Sequence, residues 1–207
     1  MKSSVFRFSP MSFTALIAMS LPSAFSVKAG QYLQLAQLPP EIIPFVESGT
    51  LPIALETADL NGDGRPDYLL VLQSFDQDSE VANESVRPLL IVIREVDGTL
   101  RLSERNPDVV FCAACGGVMG DPFQGVAASA KSFEVSHYGG SRERWGVDYK
   151  FNYSKRDKTW QLVRVKEFSF DALDPGTQKN TTYTPPKDFG KIDFGDFDPD
   201  NWKGQGE

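Results

Sequence analysis

A strict alternation of side chains in the second half of the chain limits the possible folds more than any other feature. Apolar side chains occupy every odd position from 145 to 153, with polar residues or glycine between them: Trp145, Val147, Tyr149, Phe151 and Tyr153. A period of two over nine residues predicts a half-buried antiparallel strand, because successive side chains of a strand point to opposite faces. The polar segment 154–158 predicts a turn, and residues 160–170 predict the partner strand of a long hairpin.

The first half of the chain also has the pattern of a β protein. Two continuous apolar runs, at 68–72 and 88–93, predict strands that are buried on both faces. Asp97 and Gly98 form a dipeptide that is typical of a tight hairpin turn, and residues 99–102 return from it. Consecutive strands with short connections favour an antiparallel arrangement.

The ends of this β region differ from its middle. Residues 40–47 predict a short helix, in which Pro40 suits the first turn and Pro44 limits the length. After Asp171 the pattern stops, and residues 172–207 predict an extended tail whose aromatic side chains pack partly on the body. We therefore expect a mainly β fold: an antiparallel meander that forms a sandwich or a partly open barrel, with a short N-terminal helix and an extended C-terminal tail.

The first 29 residues have the features of a signal peptide. Lys2 and Arg7 give a positive start, residues 13–21 are apolar, and two small-residue cleavage sites end at positions 26 and 29. The apolar stretch is too short and wrongly flanked for a membrane span, so a cleaved signal is favoured over the alternative of an uncleaved anchor. The sequence therefore predicts an exported protein, periplasmic or secreted, with a single β domain over residues 30–171.

The charge of the chain limits its partners. The net charge is −7, and removal of Lys2, Arg7 and Lys28 with the signal peptide takes it to −10. Such an acidic protein is unsuited to nucleic acid and to anionic membrane surfaces. No later apolar run reaches the roughly 20 residues that a membrane span needs. This negative net charge is compatible with cation binding and with an unknown protein or envelope component as partner.

Oxygen-bearing side chains recur at short intervals in one acidic loop. They belong to Asp59, Asn61, Asp63 and Asp67, and the main-chain carbonyl of Arg65 adds a further oxygen. Such a set suits calcium, which takes six to eight oxygen ligands at roughly 2.3–2.6 Å. We expect one structural Ca²⁺ here. The alternative is an Asx-rich turn, whose side chains only bond to their own backbone.

Residues 59–67 and the strand after them resemble the FG-GAP repeat, also called the VCBS-type repeat, in the form Asp-x-Asn-Gly-Asp-Gly-x-x-Asp. The resemblance implies a loop that joins two strands and binds calcium through these side chains. The repeat occurs once, whereas several copies build a propeller, so a propeller is not expected. An EF-hand is not expected either, since its twelfth position requires Glu and this chain has Leu70 there.

A second, looser resemblance covers most of the chain after the signal peptide. Its motifs are Cys112-x-x-Cys115-Gly-Gly, His137-Tyr-Gly-Gly-Ser141, Arg144-Trp145 and Trp160-x-Leu162. They are similar to those of a set of uncharacterised exported bacterial proteins that also carry a single acidic loop of this kind. The resemblance implies export and a shared fold and supplies no activity.

The only two cysteines, Cys112 and Cys115, have three interpretations. Export places them where disulfides persist, which favours a structural disulfide. A redox-active dithiol is the second interpretation, although Gly116 and Gly117 argue against the helix N-terminus that often activates such a pair. Zinc is the third, but four ligands are expected and there is no second cysteine pair.

The single histidine, His137, lies on the apolar face of a predicted strand and is interpreted as a buried structural residue, with a general base as the alternative. A cluster of basic and aromatic residues near it is a possible partner or carbohydrate surface, or else a solvated strand edge: Tyr138, Arg142, Arg144 and Trp145.

These observations lead to two main functional hypotheses, and a purely structural role in a larger assembly is a third possibility. The first is an exported calcium-binding β protein that acts as a binding or interaction module and has no catalytic residues. The alternative is an envelope thiol-redox enzyme that uses Cys112 and Cys115, or a hydrolase that uses His137.

Overall fold

The computed structural model of the chain describes residues 32–74 and 86–203. The predicted signal peptide lies outside the described residues. Within them the chain forms nine strands: β1 Thr50–Ala58, β2 Asp67–Ser74, β3 Arg87–Arg94, β4 Leu100–Val110, β5 Phe123–Ser129, β6 Ser132–Gly140, β7 Glu143–Ser154, β8 Thr159–Asp171 and β9 Asp174–Tyr183. No helix among these residues is long and apolar enough to cross a bilayer.

The strands form two antiparallel sheets that pack as a sandwich. The first sheet has the order β1-β2-β3-β4, and the second has the order β5-β6-β7-β8-β9, so within each sheet consecutive strands pair with each other. The expected antiparallel meander is confirmed. Of the two expected forms, the sandwich is the one observed, and within the described residues neither sheet closes into a barrel.

Strands β2 and β3 are buried along almost their whole length, which explains their continuous apolar runs. Alternate residues of each strand, such as Leu69 and Ile91, face the second sheet in the main core. The residues between them, such as Leu70 and Val92, face the N-terminal segment, which covers the outer side through Ile42. Both faces are therefore removed from water, as in a strand in the middle of three layers.

The long hairpin of β7 and β8 provides the aromatic side of the core. Trp160 pairs with Tyr153 at the turn end, and Tyr149 pairs with Val165 further along. The odd-numbered side chains from Trp145 to Tyr153 face inward as the alternation predicts, and Val147, Tyr149 and Phe151 are buried. Phe151 also stacks on Phe133 of β6, with 5.0 Å between ring centroids.

The N-terminal segment forms short 3-10 turns, Leu35–Gln37 and Ile43–Phe45, instead of the expected helix over residues 40–47. Pro44 lies inside the second turn. It lacks the N–H that a continuing helix requires, and its ring clashes with the preceding turn. The segment still covers the core, because Leu38 and Ile42 are buried against the first sheet.

The segment expected as an extended tail begins with a regular edge strand, β9. Nearly all of its residues are exposed, so it has no buried face that a hydrophobic pattern could reveal. Beyond it, four aromatic side chains enter the main core: Phe189, Phe194, Phe197 and Trp202. The side chain of buried Asn106 on β4 donates to the carbonyls of Phe194 and Phe197 at 2.6 and 2.7 Å, which fixes the tail between the sheets.

Candidate functional site

The acidic loop lies between β1 and β2 and curls around the carboxylate of Asp59. Asp59 Oδ1 accepts the N–H groups of Gly62 and Asp63 at 2.7 and 2.9 Å, and Oδ2 accepts that of Gly64 at 3.0 Å. Three consecutive amides thus converge on one side chain. Gly62 and Gly64 have φ values of 76° and 89°, a region that glycine adopts without steric cost.

The middle of the loop is held by Asn61 and Asp63. Asn61 donates through Nδ2 to Asp63 Oδ2 and accepts the Asp63 N–H through Oδ1, both at 2.9 Å. Asp63 Oδ1 accepts the Arg65 N–H, and its Oδ2 pairs with the Arg65 guanidinium at 2.6 Å. The Arg65 side chain reaches on to the Arg94 carbonyl through Nε, at 3.1 Å.

Asp67 closes the loop from inside the protein. Its side chain is 0% exposed, and its two oxygens accept the N–H groups of Leu60 and Arg94, each at 2.9 Å. Burial raises the pKa of this carboxyl, the two backbone N–H groups oppose the rise, and the negative charge of Asp63 adds to it. Asp67 therefore joins the loop to the end of β3.

Two contacts connect the loop to the second sheet. Lys131, in the turn between β5 and β6, donates its N–H to the Asp59 carbonyl at 2.9 Å, and its side-chain carbons lie where a Cβ on Gly62 would stand. The Trp160 indole donates to the Leu60 carbonyl at 3.0 Å. The loop is therefore a junction of the two sheets as well as a turn between two strands.

The donor set of the loop has the chemistry that calcium prefers. Asp59, Asn61 and Asp63 present carboxylate and amide oxygens within one curled segment. Asp59 Oδ2, Asn61 Oδ1 and Asp63 Oδ1 each accept a single N–H, so each keeps a second lone pair. Across residues 32–74 and 86–203, however, no three His, Cys, Asp or Glu side chains converge as a metal site. In this structure the side chains bond to the loop backbone, as in an Asx-rich turn, and to one another.

No family model, curated protein or solved structure matches this chain. The FG-GAP resemblance of residues 59–67 stays a prediction that rests on the motif itself.

The two cysteines form a disulfide with a Cα–Cα distance of 5.1 Å. The Cys115 N–H donates to the Cys112 carbonyl at 3.1 Å, so the bond closes a turn that is also hydrogen-bonded. Cys112 is half-buried and Cys115 is exposed. Both line a cleft of about 530 Å³ whose wall also includes Phe111, Trp145 and residues 198–200 of the tail.

His137 is buried on β6, where it is 2% exposed. Its Nε2 accepts the Phe111 N–H at 3.2 Å, and its ring stacks on the Phe111 ring with 4.2 Å between centroids. The pKa of His137 is lowered to about 3, chiefly by burial and also by the positive charge of Arg87. The negative charge of Asp121 opposes this shift. This geometry is that of a neutral core histidine.

The basic and aromatic cluster is divided between the two faces of the second sheet. Tyr138 and Arg144 lie on the outer face, where the Tyr138 ring stacks on Phe168 with 6.1 Å between centroids. Arg142 is exposed and pairs with Asp171 at 2.6 Å. Trp145 lies on the inner face and packs against the core at the cleft. The four residues therefore do not form one continuous surface.

Sequence reasoning did not identify the polar cluster behind the disulfide. The Arg87 guanidinium is 2% exposed and forms two bonds of 2.6 Å with Asp121, while Gln73 accepts from it at 2.7 Å. Arg87 also donates to the Phe111 carbonyl at 3.1 Å. In the sequence, the only signal of this cluster is that Arg87 precedes an apolar run. A basic residue in that position is also common at the end of an ordinary strand.

Proposed function

We propose that this protein is an exported β-sandwich binding module in which the 59–67 loop binds one structural calcium ion. The observation that carries the proposal is the convergence of three consecutive backbone amides on the Asp59 carboxylate. This convergence supports a calcium role because it curls the loop and brings Asn61 and Asp63 onto the same turn. Asp59, Asn61 and Asp63, with the Arg65 carbonyl and Asp67, would hold the ion.

The ion would neutralise a concentration of negative charge at a junction between the sheets. The loop contributes three carboxylates and one guanidinium, and the guanidinium already pairs with Asp63. Calcium binding would require Asp63 Oδ2 to leave Arg65 or to share its charge with the ion. Both groups of that pair are partly exposed, so the exchange has a small energetic cost.

Thermal unfolding with and without calcium tests the proposal. At a calcium concentration 100-fold above the dissociation constant, binding to the native state alone would stabilise it by about 2.7 kcal/mol. We expect a higher midpoint in millimolar calcium than in chelator, and no such increase for Asp63→Ala. An identical midpoint in calcium and in chelator would refute the calcium site.

A matched control separates calcium binding from general loop stability. Asp97 caps the β3–β4 turn by accepting the Thr99 N–H at 3.0 Å, so it is also an exposed aspartate in a tight turn. Asp97→Ala should keep the full calcium response. If both variants lose the response equally, the ion does not act through the 59–67 loop.

Export is the second part of the proposal and rests on the sequence of residues 1–29. Mass spectrometry of protein recovered from the periplasm or medium of a bacterial host should show a mature chain that begins at Val27 or Gly30. Retention of the full-length chain in the cell would contradict export.

The binding role rests on two adjoining clefts, of about 530 and 540 Å³, that share Phe111, Trp145, Pro199 and Asp200. Each cleft places aromatic side chains beside charged ones, a combination that suits a polar partner such as a peptide. Binding of a partner that copurifies with the native protein should weaken in Trp145→Ala and persist in Tyr138→Ala, whose ring lies on the other face. The opposite pattern would exclude the clefts as the binding site for this partner.

A further inference from the structure

The disulfide differs in two respects from one that serves only to hold a fold together. It joins two residues of a single turn, so it does not connect separate strands. One of its sulfurs belongs to the exposed Cys115, beside a cleft that is large enough for part of a peptide chain. Exposure matters because thiol–disulfide exchange requires a thiolate to reach a sulfur.

The chain on the N-terminal side of the disulfide is fixed by buried polar groups. Phe111 immediately precedes Cys112; its carbonyl accepts from the Arg87 guanidinium, and its N–H donates to His137. Arg87 is in turn held by the two oxygens of Asp121. Burial of a guanidinium is costly unless it is paired, and here the paired group supports the residue next to a cysteine.

The chain on the C-terminal side is fixed by close backbone packing. Gly116 follows Cys115, and its carbonyl accepts the Gly140 N–H at 2.9 Å. A Cβ on Gly139 would stand 2.9 Å from the Gly116 Cα and 2.6 Å from the Trp145 ring, so glycine is required there for space. Both ends of the turn are therefore held by contacts that do not involve the sulfur–sulfur bond.

A turn held in this way can lose its disulfide without losing its position. The two thiols would stay close after reduction, which keeps the reverse reaction intramolecular.

From the exposed sulfur, the neighbouring cleft and the supported turn, we propose that Cys112 and Cys115 form a redox-active pair that exchanges with a dithiol of a peptide or protein.

A thiolate of the partner attacks Sγ of Cys115, a partner–Cys115 disulfide forms, and the bond to Cys112 breaks. Cys112 leaves as a thiolate and takes up a proton. The second thiolate of the partner then attacks its own sulfur in the mixed disulfide and releases Cys115. The partner is oxidised by two electrons, and the cysteine pair is reduced. This proposal does not depend on the calcium loop.

The first experiment measures the equilibrium between the folded mature protein and glutathione buffers of graded composition. Alkylation after acid quenching, followed by mass spectrometry, gives the reduced fraction. We expect a complete transition within the range from mainly oxidised to mainly reduced glutathione, with circular dichroism unchanged throughout. A disulfide that stays oxidised at every composition, or that reduces only with unfolding, would overturn the proposal.

The second experiment tests the order of attack with single variants. Cys112→Ser leaves the exposed thiol, and Cys115→Ser leaves the half-buried one. With oxidised glutathione as the probe, Cys112→Ser should form the mixed disulfide at least tenfold faster than Cys115→Ser. The double serine variant serves as the unreactive control. Equal rates in the two single variants, matching those of the urea-unfolded chains, would show two ordinary cysteines and refute the assigned roles.

Discussion

The indole N–H of Trp160 donates to the main-chain carbonyl of Leu60 at 3.0 Å, and this bond joins the two sheets of the sandwich. Trp160 is the second residue of β8 in the second sheet, whereas Leu60 lies in the acidic loop of the first. Trp160 is 1% exposed and Leu60 is fully buried, so water cannot replace either partner. The bond therefore couples the candidate calcium loop to the aromatic core.

Trp160→Phe should destabilise the protein by about 1–3 kcal/mol, because it keeps an aromatic ring but leaves the buried Leu60 carbonyl without a donor. Urea unfolding followed by circular dichroism measures the change. Trp202→Phe is the comparison, since Trp202 is also a buried tryptophan of the main core, at 3% exposed. Equal losses in the two variants would show that only ring volume matters.

Asp67→Ala should destabilise the protein by about 1–5 kcal/mol even in chelator. The substitution leaves the buried N–H of Leu60 and the partly buried N–H of Arg94 without an acceptor; a buried unpaired donor costs about 1–3 kcal/mol, and a partly buried one costs less. Denaturant unfolding in excess chelator measures this contribution without calcium. Asp63→Ala, whose carboxylate is partly exposed, should lose less than about 1 kcal/mol under the same conditions. Similar losses would mean that Asp67 has no separate structural role.

The strands that sequence reasoning located correctly are those with a strong local pattern. Odd positions of β7 are apolar because they face the core, and β2 is apolar throughout because both of its faces are covered. At the start of β4, residues 99–102 were expected to return from the turn, whereas the middle of β4 was not expected as a strand. The middle lacks alternation, and its pairing with β3 is interrupted by irregular register. Strand β9 was not expected because its side chains are exposed, and its backbone pairing with β8 leaves no mark on the sequence.

The same limit applies to the candidate sites: residues close together in the chain could be identified, and residues far apart could not. The oxygens of the acidic loop were identifiable because they lie within nine consecutive residues, and so was the disulfide, which spans four. The support of the disulfide was not identifiable, because Arg87 and Asp121 are 34 residues apart and Phe111 and His137 are 26 apart. Only the packing of the two sheets brings such residues together.

A chain that ends after Lys187 should fail to unfold cooperatively. It lacks four buried aromatic residues of the main core, and loss of one large aromatic side chain typically costs about 3–5 kcal/mol. Their combined loss exceeds the total stability of most domains, which is about 5–15 kcal/mol. Near-UV circular dichroism during heating measures the loss. A chain that lacks only residues 204–207 is the control, and a sharp transition in both chains would show that the tail is dispensable.

His137 should make the stability depend on pH between about 3 and 6.5. Its pKa is about 3 in the native state, chiefly because of burial, against an ordinary value of 6.5. Within this range the unfolded chain binds a proton that the native state does not bind, so stability rises with pH. The stabilising effect is complete above about pH 6.5, and it is lost on acidification by at most about 1.4 kcal/mol per pH unit.

Since His137 is the only histidine, the NMR signals of its ring in protein without a histidine tag should not titrate between pH 5 and 8. His137→Gln keeps an acceptor for the Phe111 N–H and removes the titrating group, so its stability should change less between pH 6.5 and 5. A native His137 that titrates near pH 6.5 would contradict its placement in the core.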